Sequence, residues 1–429
     1  MKLIKNVNIV LPNGKIKKRG SIIIAAGKIK EITDIIPYGE YEEIIDGEGV
    51  LTAVPGFVDM HVHLRDPGQT EKEDIFSGCM AAAAGGVTSL LCMPNTEPTI
   101  DNPAVVAYIN DKAKKATAKV LVAGSITKGL KSAKLCDFAQ LKAAGAIAVT
   151  DDGRPVENQE LLQKALKAAA ANGLRLLAHC EDLKIVDGGI VNKGEASQSL
   201  GVKGIDRESE NKGTQLVIDA AEQTGTSAHI CHVSTAEAVE MIAQAKRRGV
   251  KITAETAPHY FAFTEKELLQ KKDADYRMNP PLRTENDRQA VIKGLKNGTI
   301  DAIATDHAPH TVAEKSNFLT APNGSIGMET SFAAGYTYLV LPGLLTLPEL
   351  IKKMSDNPAA ILGIAAGKLE VGATADIVLL NTNKKWTVDP LKLHGKSQNT
   401  PFKGLELAGK VAKTILNGKV VFDEAVDSM

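Results

Sequence analysis

The chain has 429 residues, of which 44% are hydrophobic, so it can bury a large core, and its Lys+Arg and Asp+Glu balance at 51 each. Charge is spread without long blocks of one sign and aromatics make up only 4%, which argues against a nucleic-acid stripe or a base-stacking platform. No run of about 18 apolar residues offers a membrane span. MKLIKNVNIVLPNG lacks the long apolar stretch and cleavage site of a secretory signal, and the five cysteines contain no CxxC pair, so a cytoplasmic, reducing setting is expected.

In chain order, residues 1–54 carry β-type alternation (IKNVNIVLPNG, GSIIIAAGKIKEI). Eight short apolar runs follow: GFVDMHVHL, GVTSLLCMPN, KVLVAGS, AIAVTDDG, LRLLAHCED, SAHICHVS, VKITAETAPH and IDAIATDHAPH. Between them lie segments of helical periodicity, such as NQELLQKALKAAAANG and STAEAVEMIAQAKRRG, which end at Gly173 and Gly249. Ser234 and Glu237 have the spacing of a capping box. Residues 181–208 are Gly-rich and weakly periodic, and read as a long loop over the site. The tail (TADIVLLNTN, KVAKTILNGKVVFDE) returns to β alternation around an Asn-Gly turn.

Near-continuous apolar strands alternating with helices predict a parallel sheet covered on both faces, and eight such units predict an α/β fold of the (βα)8 TIM-barrel type over residues 55–365. The two β-rich ends, 1–54 and 366–429, are expected to meet as one small β-sandwich. His61, His63, Asn95, Asp151, Asp152, His179, His232 and Asp306 all fall at or near the C-terminal ends of their runs, where such a barrel carries its chemistry.

On a regular strand, Asp59, His61, His63 and Arg65 share one face, and Val58, Met60, Val62 and Leu64 fill the other. One HxH alone is as readily structural as metal-binding. With His179, His232, Asp152 and Asp306 at neighbouring strand ends, four imidazoles and two carboxylates converge, a donor set that suits zinc or a similar divalent ion. Of Asp151 and Asp152, only one can face inward. Asp306, His307 and His310 in ATDHAPHT could equally form a hydrogen-bonded cluster beside a strand-ending proline.

DMHVHLRDPGQTEKED, MPNTEPTIDNP, TDDGRPV, AHCED, HVSTAEAV, RMNPPLR and ATDHAPHTVAEK together resemble the type I dihydroorotases of the amidohydrolase superfamily, across nearly the whole chain. The resemblance implies that His61 and His63 bind one zinc ion, that His179 and His232 bind a second, and that Asp152 bridges them. Asp306 would be both a metal neighbour and the general base and acid. Arg65 would grip the substrate carboxylate, with His63, Asn95, Asn279 and His310 also in contact with substrate. Main-chain contacts are implied at Asn323 and Gly324, although Asn323 stands where relatives often carry Phe or Pro. Arg283, Asp59 and His259 read as structural or supporting residues.

The implied reaction is the reversible, zinc-dependent interconversion of N-carbamoyl-L-aspartate and (S)-dihydroorotate in pyrimidine synthesis. The implied partners are a small-molecule substrate, a second copy of the chain in a homodimer, and aspartate carbamoyltransferase. The alternatives are a hydantoinase or allantoinase on the same barrel, which typically uses a carboxylated lysine as its bridge, and a non-catalytic scaffold for aspartate carbamoyltransferase.

Overall fold

The computed structural model describes residues 1–36 and 38–427. The chain opens with β1 (Lys2–Val10), β2 (Ile16–Ala25), β3 (Lys28–Thr33), β4 (Glu43–Asp46) and β5 (Thr52–Pro55). The central strands are β6 (Phe57–Val62), β7 (Val87–Cys92), β8 (Lys119–Gly124), β9 (Ala146–Val149) and β10 (Arg175–Ala178). After a short pair, β11 (Val191–Asn192) and β12 (Gly204–Ile205), the central series resumes with β13 (Ala228–Ile230), β14 (Ile252–Thr256) and β15 (Ala302–Ile303). The chain ends in β16 (Ile377–Thr387), β17 (Glu406–Leu416) and β18 (Lys419–Asp423).

Each of the eight apolar runs contains one strand of a parallel sheet in the order β15-β14-β13-β10-β9-β8-β7-β6. The sheet closes on itself. His63 N–H donates to His307 O at 2.8 Å, and Val62 and His307 form a parallel bridge. At the same seam Asp59 accepts from the Thr305 N–H at 3.0 Å and from its hydroxyl at 2.6 Å.

Helices including Gln159–Ala171, Glu208–Thr224, Ala236–Arg247 and Glu285–Asn297 cover the outside. Their apolar stripes pack on the outward residues of the strands in one large core. A separate core fills the barrel: Val58, Met60, Leu91, Met93, Ala123, Ala148, Leu177, Cys231, Ala302 and Ala304, closed below by Ala359 and Leu362. The ends of the chain form one mostly antiparallel sheet, in the order β18-β17-β16-β5-β1-β2-β3 with β4 beside β1. Its own isoleucine-rich core includes Ile4, Ile9, Ile22 and Ile377. The β17–β18 hairpin turns at Asn417 and Gly418, with φ of 50° and 74°, the left-handed pair that a tight two-residue hairpin turn demands. No helix among the described residues is long and apolar enough to cross a membrane.

Three local expectations are corrected. Val58 and Met60 do not share a face with Val62 and Leu64: the first two lie in the barrel interior and the last two in the outer core. The register of β6 against β7 shifts between Asp59 and Val62, so the extra residue lets Met60 and His61 both turn inward. The helix Ala236–Arg247 is capped by Thr235, whose side chain accepts from Ala238 N–H. Ser234 instead bonds to Glu210, and Glu237 pairs with Arg207. Residues 181–208 are more than a long loop: helix Leu183–Val186 precedes β11, and helix Glu195–Leu200 connects β11 to its parallel partner β12. Arg283 ties this excursion down by donating to Asn192 Oδ1 and Ile205 O.

Replacing Asp59 by Ala would leave the Thr305 N–H and hydroxyl and the His61 N–H without their acceptor at a buried seam. Asp59→Ala is expected to lose about 2–4 kcal/mol of stability, the scale of a few buried donors left unsatisfied. A lower urea midpoint at unchanged m checks this, and Asp59→Asn, which keeps an acceptor oxygen, is expected to lose less.

Candidate metal centre and its cavity

Four imidazoles and two carboxylates meet at the C-terminal mouth of the barrel, each brought by a different strand end except for the pair on β6 and its extension. His61 Nε2 lies 3.2 Å from Asp152 Oδ1 and 3.5 Å from Asp306 Oδ1. His63 Nε2 lies 3.4 Å from Asp152 Oδ2 and 3.2 Å from Asp306 Oδ1. His179 Nδ1 and His232 Nε2 lie 3.6 and 3.8 Å from Asp152 Oδ1, and 2.9 Å from one another. Asp152 therefore touches all four rings. Asp151 points the other way, accepting from the N–H groups of Ile126 and Thr127 at 2.7 and 3.0 Å.

Backbone irregularity at the strand ends aims these groups. The β6 register shift turns His61 inward above Met60. His232 and Asp306 hold φ of 34° and 49°, and Arg65 holds 59°. Non-glycine residues rarely adopt this region, and when they do they cluster where the surrounding structure fixes them for function.

Three of the four rings are backed by a partner on the far side from the cluster. His63 Nδ1 meets Asn95 Oδ1 at 2.8 Å, and the amide of Asn95 also donates to Asp152. His179 Nε2 donates to Glu181 Oε2 at 3.1 Å, and Glu181 in turn accepts from Asn279 Nδ2 at 2.9 Å. His61 Nδ1 faces Glu255 Oε1 at 3.0 Å. Glu181 and Glu255 were not singled out by the sequence reading. Their only signal was a carboxylate inside an otherwise apolar run, two residues after His179 in one case and near the end of β14 in the other.

The charges are tightly interlocked. Burial opposes charging His61, but Asp152 and Asp306 hold it well above the usual imidazole range. Burial likewise works against His179, while Asp152 and Glu181 raise it to about 10. Burial alone would raise both aspartates, yet His61 and its neighbours hold Asp152 and Asp306 below the ordinary carboxylate range. His259, packed nearby without a charged partner, is pushed by burial down to about 4 and stays neutral.

These residues fit a divalent metal. The donor atoms of His61, His63 and Asp306 lie within 4.8 Å of one another, and so do those of His61, Asp152 and His232. His61 Nε2 is buried with no hydrogen-bond partner, an orphan that a cation would satisfy. Imidazole and carboxylate together are the donors that borderline divalent ions prefer. A third trio, His61 with Cys231 and Glu255, lies on the far side of the ring, where burial pushes the Cys231 thiol up to about 12.

Beside the cluster opens a cavity of about 230 Å³, lined by His63, Arg65, Asn95, Asp152, His179, His232, Asn279, Asp306, His310, Asn323 and Gly324. Every residue named from the sequence as a substrate contact reaches it. Arg65 is 8% exposed and pairs with no carboxylate among the described residues; it donates through Nε to Pro309 O at 3.2 Å and faces His310 Nε2 at 3.3 Å. Burial and Arg65 push His310 down to about 3, so its ring is neutral and donates to Asn323 O at 2.9 Å.

The far wall is pinned by residues the sequence did not flag. Lys315 Nζ donates to the carbonyls of Pro322 and Gly324, each at 3.0 Å. Asn399, from the segment between β16 and β17, donates to Ala308 O and Gly324 O and accepts from His310 N–H. The loop after β6 is locked to the loop after β7, for a Cβ on Gly68 would meet Glu97 O at 1.8 Å. Arg283 stays clear of the cavity and bonds to Ser234 and Glu210.

The sequence profile described as "Amidohydrolase family" matches residues 52–421. The chain is 47% identical over 422 residues to a dihydroorotase of Geobacter metallireducens, covering 98% of this chain and 99% of that one. It is 46% identical over 426 residues to a dihydroorotase of Acetivibrio thermocellus, covering 99% of both. Among solved structures it is similar to an L-hydantoinase from Arthrobacter aurescens (TM-score 0.88, 25% identity, 98% of this chain and 96% of that one). A dihydropyrimidinase from Brevibacillus agri has the same fold (TM-score 0.86, 24% identity, 98% and 95%). A closed parallel barrel, a buried imidazole–carboxylate cluster at its mouth and full-length identity near one half lead to one assignment: the chain belongs to the amidohydrolase family, among the dihydroorotases.

Proposed function

We propose that the cavity takes dihydroorotate and that the chain catalyses the reversible hydrolysis of its ring amide to N-carbamoyl-L-aspartate. It is a cyclic amide hydrolase acting on a small molecule. The observation that carries the choice of substrate is Arg65: a buried guanidinium without a carboxylate partner, facing a small cavity whose opposite wall is the imidazole–carboxylate cluster. Burying such a charge unpaired is costly, and a planar carboxylate on the substrate would repay it with two parallel hydrogen bonds.

His61, His63, Asp152, His179, His232 and Asp306 would hold zinc, two ions per subunit, with Asp152 between them because it alone reaches all four rings. Bound there, zinc would supply Lewis acidity, making water a nucleophile near neutral pH and polarising the ring carbonyl. Asp306, whose carboxylate lies 3.2 Å from His63 Nε2 at the edge of the cavity, would take a proton from the attacking water. In the same turnover it returns that proton to the departing ring nitrogen as the C–N bond breaks. Ring closure uses the same groups in reverse. Arg65 fixes the substrate carboxylate, the Asn279 amide and the carbonyl of Asn323 offer hydrogen-bonding groups to the ring, His310 holds the Asn323 carbonyl in place, and the Pro309 carbonyl holds Arg65. A homodimer in the cytoplasm, and association with aspartate carbamoyltransferase, belong to the same reading.

The likeness to hydantoinases supports a second reading, hydrolysis of hydantoin on the same barrel. It accounts for the cluster but gives the buried Arg65 nothing to bind. Parallel assays on dihydroorotate and hydantoin separate the two, and turnover of hydantoin alone would overturn the first.

Arg65→Lys keeps the charge and loses the planar fork. It is expected to weaken dihydroorotate binding by about 1.5–3 kcal/mol, seen as a raised KM, and unchanged kinetics would remove Arg65 from the carboxylate. Asp152→Ala is expected to lose bound zinc together with rate. Asp306→Asn is expected to keep most of its zinc while kcat falls by about 10²–10⁴-fold, the usual share of general acid–base catalysis. Metal analysis and steady-state kinetics on both folded variants check this, and the opposite pattern would exchange the two roles.

A further inference from the structure

Beneath the metal cluster the barrel interior is largely apolar, and a chain of polar groups runs through it. Glu255 on β14 is 1% exposed and His229 on β13 is 2% exposed, both within a layer otherwise made of residues such as Val58, Met60 and Leu177. The carboxylate of Glu255 is shared between two rings. Oε1 lies 3.0 Å from His61 Nδ1, and Oε2 lies 3.2 Å from His229 Nε2. His229 Nδ1 lies 2.8 Å from the hydroxyl of Thr253, the residue opposite it in the β13–β14 register.

A carboxylate only accepts, so both ring nitrogens that face it carry hydrogens. The Thr253 hydroxyl can then donate to the remaining nitrogen of His229, and once a cation displaces the proton on His61 Nε2 the lone pair that ligates it is the one toward Asp152 and Asp306. We propose that Glu255 and His229 are positioning residues for the metal centre, fixing His61 in the one tautomer and ring orientation that can bind a cation. This rests on the reading of His61 as a zinc ligand. His61 is the ring common to both ligand trios at the mouth, so its orientation governs the whole site. Oε1 is hydrogen-bonded to the His61 ring, so turning that ring would strand a buried oxygen, whereas Oε2 meets His229 Nε2 as a close ion-pair contact that is not aligned as a hydrogen bond. Supporting partners of this kind typically tune metal affinity by 10–100-fold.

The test is zinc affinity measured by chelator competition on full-length protein, with the visible spectrum of the cobalt-substituted form as a second readout. Glu255→Gln is expected to weaken zinc about 10–100-fold and to alter the cobalt bands. His229→Leu is expected to weaken zinc in the same direction, and His229→Gln, which keeps a donor toward Glu255, to recover most of the affinity. Wild-type affinity and spectrum in folded Glu255→Gln would overturn the proposal. Should Glu255→Gln fail to fold, the His229 pair decides, and wild-type affinity in His229→Leu overturns it. His61→Ala is the reference: if it keeps full zinc affinity, the metal-centre reading fails; if it loses zinc while Glu255→Gln and His229→Leu do not, only this proposal fails.

Discussion

A barrel of this kind has to be greasy inside to stay folded and polar at its mouth to do chemistry, and the change from one to the other occurs within a few residues of each strand. On β7 and β10 ordinary alternation is sufficient: Leu91 and Met93 lead to Asn95, and Leu177 leads to His179. On β6 and after β13 it is not. Met60 beside His61, and Cys231 beside His232, are neighbours in sequence that both occupy the interior. A register shift serves the first pair and a left-handed residue at φ 34° the second. Such backbone costs on the order of 1–3 kcal/mol per residue and persists only where its surroundings hold it. Here those surroundings are the Asp59–Thr305 seam and the hydrogen bonds behind His61, His63 and His179.

The same constraint explains the electrostatics. Six ionisable groups share the mouth, and neither the imidazoles nor the carboxylates could be buried there alone. Asp152 at the centre and Asp306 at the side stabilise charge on His61, and the rings in turn keep both aspartates ionised. The cluster is balanced internally, whereas Arg65 across the cavity has no carboxylate partner among the described residues. That difference divides the site into a part that holds itself together and a part that waits for a substrate.

Much of this was legible in the sequence because it depends on period and turn chemistry. The eight apolar runs, the glycine-ended helices and the Asn417-Gly418 hairpin all follow from local rules that the fold does not override. The ligand histidines could be read from their place at the ends of runs. The face assignment on β6 could not, because one extra residue in a strand leaves no mark in the pattern of apolar residues. Ser234 looked like a cap, but a buried carboxylate, Glu210, took it. Glu255 and His229 were hidden for a different reason: each sits alone in an apolar run, and their relation exists only across the β13–β14 register. Asn399 is further still, roughly ninety residues from the loop it ties.

That last tie has a consequence for how the chain comes off the ribosome. Strands β6 to β15 and nearly every group at the mouth are synthesised well before residue 399 appears. The loop carrying His310 and Gly324 nevertheless takes three of its fastenings from the Asn399 side chain, and β5 completes its pairing only when β16 arrives. A nascent chain halted before these segments would hold its ligand cluster with one wall of the substrate cavity untied. The segment carrying Asn399 thus acts as a latch, and a growing chain gains a finished pocket only after that segment has been made.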